Sequence, residues 1–205
     1  MAPEASWNAG SIAALVVTIC ALIAVWFPFW WGLRACMRGF AVTRKLSPAE
    51  IKAALDRETP QVHEPIAVQV LRVLRASQKD NPEKMPLSFL IDASRQYVSN
   101  EYEANYAKPI TLYSNILPPI GFIGTLFGLV VLVLAKGGDG DAMLEMVGLA
   151  GAVSKSICAL FGFIVLESLK IRLYGRMLAG LDEATGIVGK STAAHSVRKA
   201  EPALA

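Results

Sequence analysis

Three stretches of this chain are nearly free of charge, and each is long enough to cross a bilayer. Residues 5–33 and 109–135 contain no Asp, Glu, Lys or Arg, and residues 146–166 contain one, Lys155. An apolar helix needs roughly 20 residues to span about 30 Å of hydrocarbon. Inside lipid every backbone polar group must be satisfied within the segment, which a helix does. With 54% of its 205 residues hydrophobic and gathered in blocks, the chain is expected to be an all-α membrane protein with three transmembrane helices.

The basic residues orient these spans. No Lys or Arg precedes the first run, whereas Arg34, Arg38, Arg44 and Lys45 follow it. The link between the second and third runs carries Asp139, Asp141 and Glu145, with Lys136 at its edge, and Lys170, Arg172 and Arg176 follow the third. The positive-inside rule then places the N-terminus outside and the tail inside. The expected organisation is a first transmembrane helix over 1–34, a cytoplasmic helical connector over 35–110, and a transmembrane hairpin over 111–169 with a short external link at 136–145. A cytoplasmic helix and frayed tail over 170–205 complete it. The first run has no basic n-region, and Trp26, Phe27, Phe29, Trp30 and Trp31 form an interfacial aromatic belt, so it reads as an uncleaved anchor rather than a signal peptide.

Several function classes find no support. Cys20 and Cys158 fall inside spans and Cys36 just beyond one, so no disulfide framework is implied. His63 and His195 stand alone, and no His, Cys or Asp cluster has metal-ligand spacing, so neither metal nor cofactor is expected. Basic residues of the connector alternate with acidic ones and form no nucleic-acid motif; a solvated helical face attracted to anionic lipid accounts for them. No phosphate loop, nucleophile elbow or catalytic carboxylate pair is visible, so no catalytic residue is assigned and no enzyme is expected.

The connector reads as short helices. Ser47-Pro48-Ala49-Glu50 is a capping box with proline at the first helical position. A second helix starts near Glu64-Pro65 and ends in the polar patch 77–84, and a third runs from about Pro86 towards Tyr106. Their apolar stripes are too modest for an independent domain, so they are expected to brace the spans or neighbouring copies.

The second and third runs carry most of the information. After Pro118-Pro119, residues Gly121, Gly124, Thr125 and Gly128 share one broad helical face, suited to close backbone approach. In the third run Gly148, Ala152, Lys155, Ala159 and Gly162 recur at three- and four-residue steps, with Ser156 beside them. An ammonium at mid-membrane costs about 2.5–3.5 kcal/mol on insertion scales. Lys155 therefore either stays with its own chain, snorkelling along its helix or pairing with a carbonyl, or it lines a polar axis or pairs with a carboxylate from a partner subunit. Glu145 and Glu167 lie about 15 Å and about 18 Å away along the helix at 1.5 Å per residue, too far to neutralise it directly.

The order of spans, and the string Pro118-Pro119-Ile120-Gly121-Phe122-Ile123-Gly124-Thr125-Leu126-Phe127-Gly128, resemble the MotA/TolQ/ExbB proton-channel family and its stretch ending in Gly-Thr-x-x-Gly. More loosely, residues 152–160 resemble that family's Ala-Leu-x-Thr-Thr-x-x-Gly-Leu stretch. The resemblance implies a homopentamer in the bacterial inner membrane, N-terminus periplasmic and C-terminus cytoplasmic, surrounding the helices of a single-span partner with an intramembrane aspartate. It implies that Thr125 and Ser156 line a proton path, with Lys155 in place of a neighbouring hydroxyl and Gly151 where import-system members carry a glutamate. The function expected on this basis is ion-driven energy transduction through the partner. A non-conducting oligomeric scaffold with Lys155 in a structural ion pair is the alternative.

Overall fold

A computed structural model of the protein describes residues 9–57, 59, 63–80, 85–136 and 142–200. Every regular element among them is a helix. In chain order these are α1 (Ala9–Val42), α2 (Pro48–Leu55), α3 (Ile66–Lys79), α4 (Leu87–Tyr102), a π-helical turn (Glu103–Ala107), α5 (Lys108–Lys136) and α6 (Ala142–Ala200). Three stretches are long and apolar enough to cross a membrane: Ile19–Val42, Leu87–Val130 and Leu149–Lys190. The chain is thus all-helical and consistent with a multi-pass membrane protein. Residues 137–141 of the link between the second and third runs, and residues 201–205, lie outside the described residues.

The helices outrun the signals that suggested their ends. α1 continues past Arg34 to Val42 with Pro28 inside it. α5 runs unbroken through Pro118 and Pro119. A proline has no N–H to close on the carbonyl four residues back, so Ser114 and Asn115 lose their usual helical donors. Membrane-length helices tolerate this because neighbouring groups re-satisfy the freed carbonyls. The helix expected to end near Tyr106 instead passes through the π-helical turn into α5. α6 continues to Ala200 through the segment assigned to a frayed tail, whose Ala, Lys and Arg residues are good helix formers.

The chain divides into two compact units, one combining residues up to Ala35 with Pro109–Leu169, the other combining Cys36–Lys108 with residues from Lys170 onward. In the first unit, glycines mark where helices meet. A Cβ on Gly32 of α1 would lie 2.6 Å from Leu166 Cδ1 of α6 and 3.2 Å from Tyr113 Cβ of α5. One on Gly162 of α6 would lie 3.2 Å from both Leu117 Cδ1 and Phe29 Cδ2. Leu117, Ala159 and Leu166 are fully buried between these helices. Facing outward are Trp26, Phe27, Phe122, Phe127, Ile157 and Phe161, all more than half exposed. Such a continuous apolar exterior suits hydrocarbon rather than water.

In the second unit, the stripes of α2, α3 and α4 do close into a core. Ile51, Ile66, Val68, Val70, Leu71, Val98 and Tyr102 are joined by Val42 from the end of α1 and by Met177, Leu181 and Ala184 from α6. That borrowed surface is what the connector stripes lacked on their own. The α2 cap is the expected capping box: Glu50 N–H donates to Ser47 Oγ at 3.3 Å, and Ser47 N–H donates to Glu50 Oε2 at 2.7 Å. The backbone hydrogen bond from Ser47, and then that of its hydroxyl, hold the Glu50 carboxyl below the usual carboxylate range. Arg72 of α3 ties down the preceding loop by donating to Glu64 at 2.7 Å and to the carbonyls of Arg57 and Ala54 at 3.2 Å each.

Candidate functional site

The packing of α5 on α6 is set by what its glycines lack. Gly121, Gly124, Thr125 and Gly128 are spaced three or four residues apart, so they lie on one face of α5. A Cβ on Gly121 would stand 2.6 Å from Ala159 Cβ and 3.4 Å from Ser156 Cα. That is well inside the carbon–carbon optimum of about 3.5–4.0 Å, so the two backbones approach more closely here than any larger residue allows. Gly121, Gly124 and Gly128 are buried, as are Ala152, Lys155, Ala159 and Gly162 across from them. Gly148 lies within α6 but outside the residues whose surroundings are described.

That close approach brings two hydroxyls into contact. Thr125 Oγ1 and Ser156 Oγ share a hydrogen bond, and each also lies 3.1 Å from the Gly121 carbonyl oxygen. The Ala152 carbonyl is 3.5 Å from Thr125 Oγ1. Each hydroxyl has one proton to donate and lone pairs to accept. The shared contact uses one proton, and the other goes to Gly121. Two arrangements satisfy the cluster: Thr125 donates to Ser156 and Ser156 to Gly121, or Ser156 donates to Thr125 and Thr125 to Gly121. Rotating both hydroxyls converts one into the other without moving the helices. Both side chains are partly buried at the edge of the interface.

Lys155 takes a different position. It is 2% exposed, and its aliphatic stem covers Gly124, where an added Cβ would lie 3.3 Å from Lys155 Cδ and 3.4 Å from its Cβ. Among the described residues no carboxylate pairs with it. The lysine is thus buried against its own hairpin, and Gly124 provides the space for its stem. An open apolar groove of about 740 Å³ between α1 and α6 is lined by Trp26, Phe29, Trp30 and Phe161 among others, and neither hydroxyl lines it.

A second polar contact on the same interface was not singled out from sequence. Ser114, fully buried on α5, donates to Glu167 Oε1 of α6 at 2.7 Å. Ser114 precedes Thr125 by the same number of residues as Glu167 follows Ser156, about three turns or about 16 Å along antiparallel partners. That matched spacing is the signal that could have found it. Compared with protein-family models, with curated proteins and with solved structures, the chain matches none.

Proposed function

We propose that the chain is an ion-channel subunit, conducting protons in the first instance, of an energy-transducing complex in the bacterial inner membrane. In this reading the chain works in the manner of the MotA/TolQ/ExbB family. Five copies surround the transmembrane helices of a single-span partner, and the partner's intramembrane aspartate takes up and releases the ion as it moves. The observation that carries this reading is the Thr125–Ser156 pair with its two interchangeable hydrogen-bond arrangements. Hydroxyls relay a proton but hold no charge near neutral pH. The titratable group must therefore come to them, and both hydroxyl residues, only partly buried, are open to a partner's carboxylate at the edge of the interface. Lys155 acts as a barrier, its buried positive charge close to Ser156 opposing a cation until the partner's carboxylate offsets it.

The test is proton flux into proteoliposomes holding the complex isolated through a tag on this chain, driven by an imposed potential. Replacing Thr125 with Val and Ser156 with Ala removes the relay and is expected to cut flux at least tenfold. Lys155→Met keeps the stem that covers Gly124 and is expected to raise flux; unchanged flux would remove Lys155 from the path. A complex that contains no single-span protein and passes no protons would sink the proposal. It would leave the second reading, a non-conducting scaffold, which the burial of Lys155 inside its own hairpin favours.

A further inference from the structure

The open groove between α1 and α6 lies wholly within the first unit. Leu22, Trp26 and Trp30 of α1 line its about 740 Å³ together with Cys158 and Phe161 of α6, and no charged side chain does. Water entering it would find few hydrogen-bond partners, so in a bilayer hydrocarbon fills it instead. From Leu22 to Trp30 the groove follows α1 for about 12 Å, most of one leaflet's share of a hydrocarbon core about 30 Å thick. A second membrane-crossing helix needs a seat along the whole core, whereas an acyl chain needs one leaflet of it.

The end of the groove at Trp30 is where polar groups wait. The indole N–H groups of Trp26 and Trp30 donate to no described residue, and indole tips of this kind settle at the level of lipid headgroups. Arg34 follows Trp30 by four residues, so it lies on the same side of α1 one turn further on. It is exposed and has no hydrogen-bond or ion-pair partner among the described residues. The only acid among the described side chains of this unit, Glu167, is already engaged by Ser114 at 2.7 Å, so the same unit of a second copy brings no spare carboxylate to Arg34. A guanidinium matches the paired oxygens of a phosphate. In a zwitterionic headgroup the lipid's own cation competes for that phosphate; in an anionic one the charge is left for the arginine. We infer that the groove binds an anionic phospholipid, with one acyl chain lying between α1 and α6 and the phosphate on Arg34. The inference goes beyond the ion-path reading and stands whether or not the complex conducts.

The experiment uses the full chain in phosphatidylcholine liposomes containing a small fraction of phosphatidylglycerol with a diazirine midway along one acyl chain. After illumination, peptide mass spectrometry locates the adducts. They are expected on Leu22, Trp26, Cys158 and Phe161 severalfold above Phe122 and Phe127, which face outward from α5 away from the groove. Unlabelled phosphatidylglycerol is expected to compete the groove adducts away, and the same amount of added phosphatidylcholine to leave them. Arg34→Gln should keep adducts in the groove but abolish that difference between the two competitors. Cys158→Phe fills the groove and should lower its adducts to the level seen on α5. Adducts spread evenly over the apolar surface, a groove free of adducts because a neighbouring copy or another helix fills it, or equal competition by the two lipids in the parent chain would each overturn the inference. Flux is not read, so this result and the outcome of the proton-flux assay are separate.

Discussion

Gly121→Ala is the most direct test of how α5 meets α6. The added methyl would sit 2.6 Å from Ala159 Cβ, about 1 Å inside the carbon–carbon optimum. Neither methyl can rotate away, and Ser156 Cα at 3.4 Å closes the next escape, so the helices themselves must separate by about 1 Å. Overpacking of this kind costs about 1–3 kcal/mol, partly offset by about 1 kcal/mol of helix propensity gained from glycine to alanine. The same displacement stretches the Thr125–Ser156 contact, so the loss extends to the relay. Gly124→Ala is the control: its methyl meets Lys155 Cδ at 3.3 Å, the middle of a flexible side chain that can swing by a few tenths of an ångström. Equilibrium unfolding in mild detergent, followed by far-ultraviolet circular dichroism, reads both. Gly121→Ala is expected to be clearly the more destabilised of the two. Adding Ala159→Gly to it should restore the parent, with a coupling of about 1–3 kcal/mol, or roughly 5–150-fold in the unfolding constant. Equal tolerance of the two glycine replacements, or no rescue by Ala159→Gly, would refute this account of the packing.

Two predictions concern the second unit. Arg72→Ala removes the donor to Glu64, whose side chain is 8% exposed, together with the ties to two loop carbonyls; a loss of about 1.5–3 kcal/mol is expected by thermal unfolding, and a change under about 0.5 kcal/mol would mean the loop holds without it. For the α2 cap, the Glu50 carboxyl titrates lower in the folded than in the unfolded chain. Its contribution is therefore present above the unfolded value and lost as pH falls through the folded one. The protection of α2 amides, relative to intrinsic exchange at each pH, should fall on acidification in the parent but show no such step in Glu50→Gln.

The apolar runs were visible because charge is nearly absent from them, and their described residues fall in α1, α5 and α6. Helix extents were less visible: Arg34 reads as the end of the first span, yet α1 continues to Val42. The core of the second unit was hidden for a topological reason: Met177, Leu181 and Ala184 follow an apolar run on the same helix, and nothing local tells that they turn towards α3. Thr125 and Ser156 stand out in the sequence, but their contact depends on the antiparallel register of α5 and α6. Periodicity left two surroundings open for Lys155, and the structure lays its stem on Gly124. Ser114 and Glu167 required the same register and gave no local sign at all.

The packing of the Lys155 stem onto Gly124 also bears on how the chain is made. Taken singly, the third apolar run presents the lipid with a bare ammonium near its middle, a penalty of about 2.5–3.5 kcal/mol at the insertion step. Paired with α5, the lysine is 2% exposed, so its shelter belongs to the hairpin and not to either helix. Biogenesis therefore favours delivering α5 and α6 to the bilayer together, with the second helix waiting at the translocon for the third.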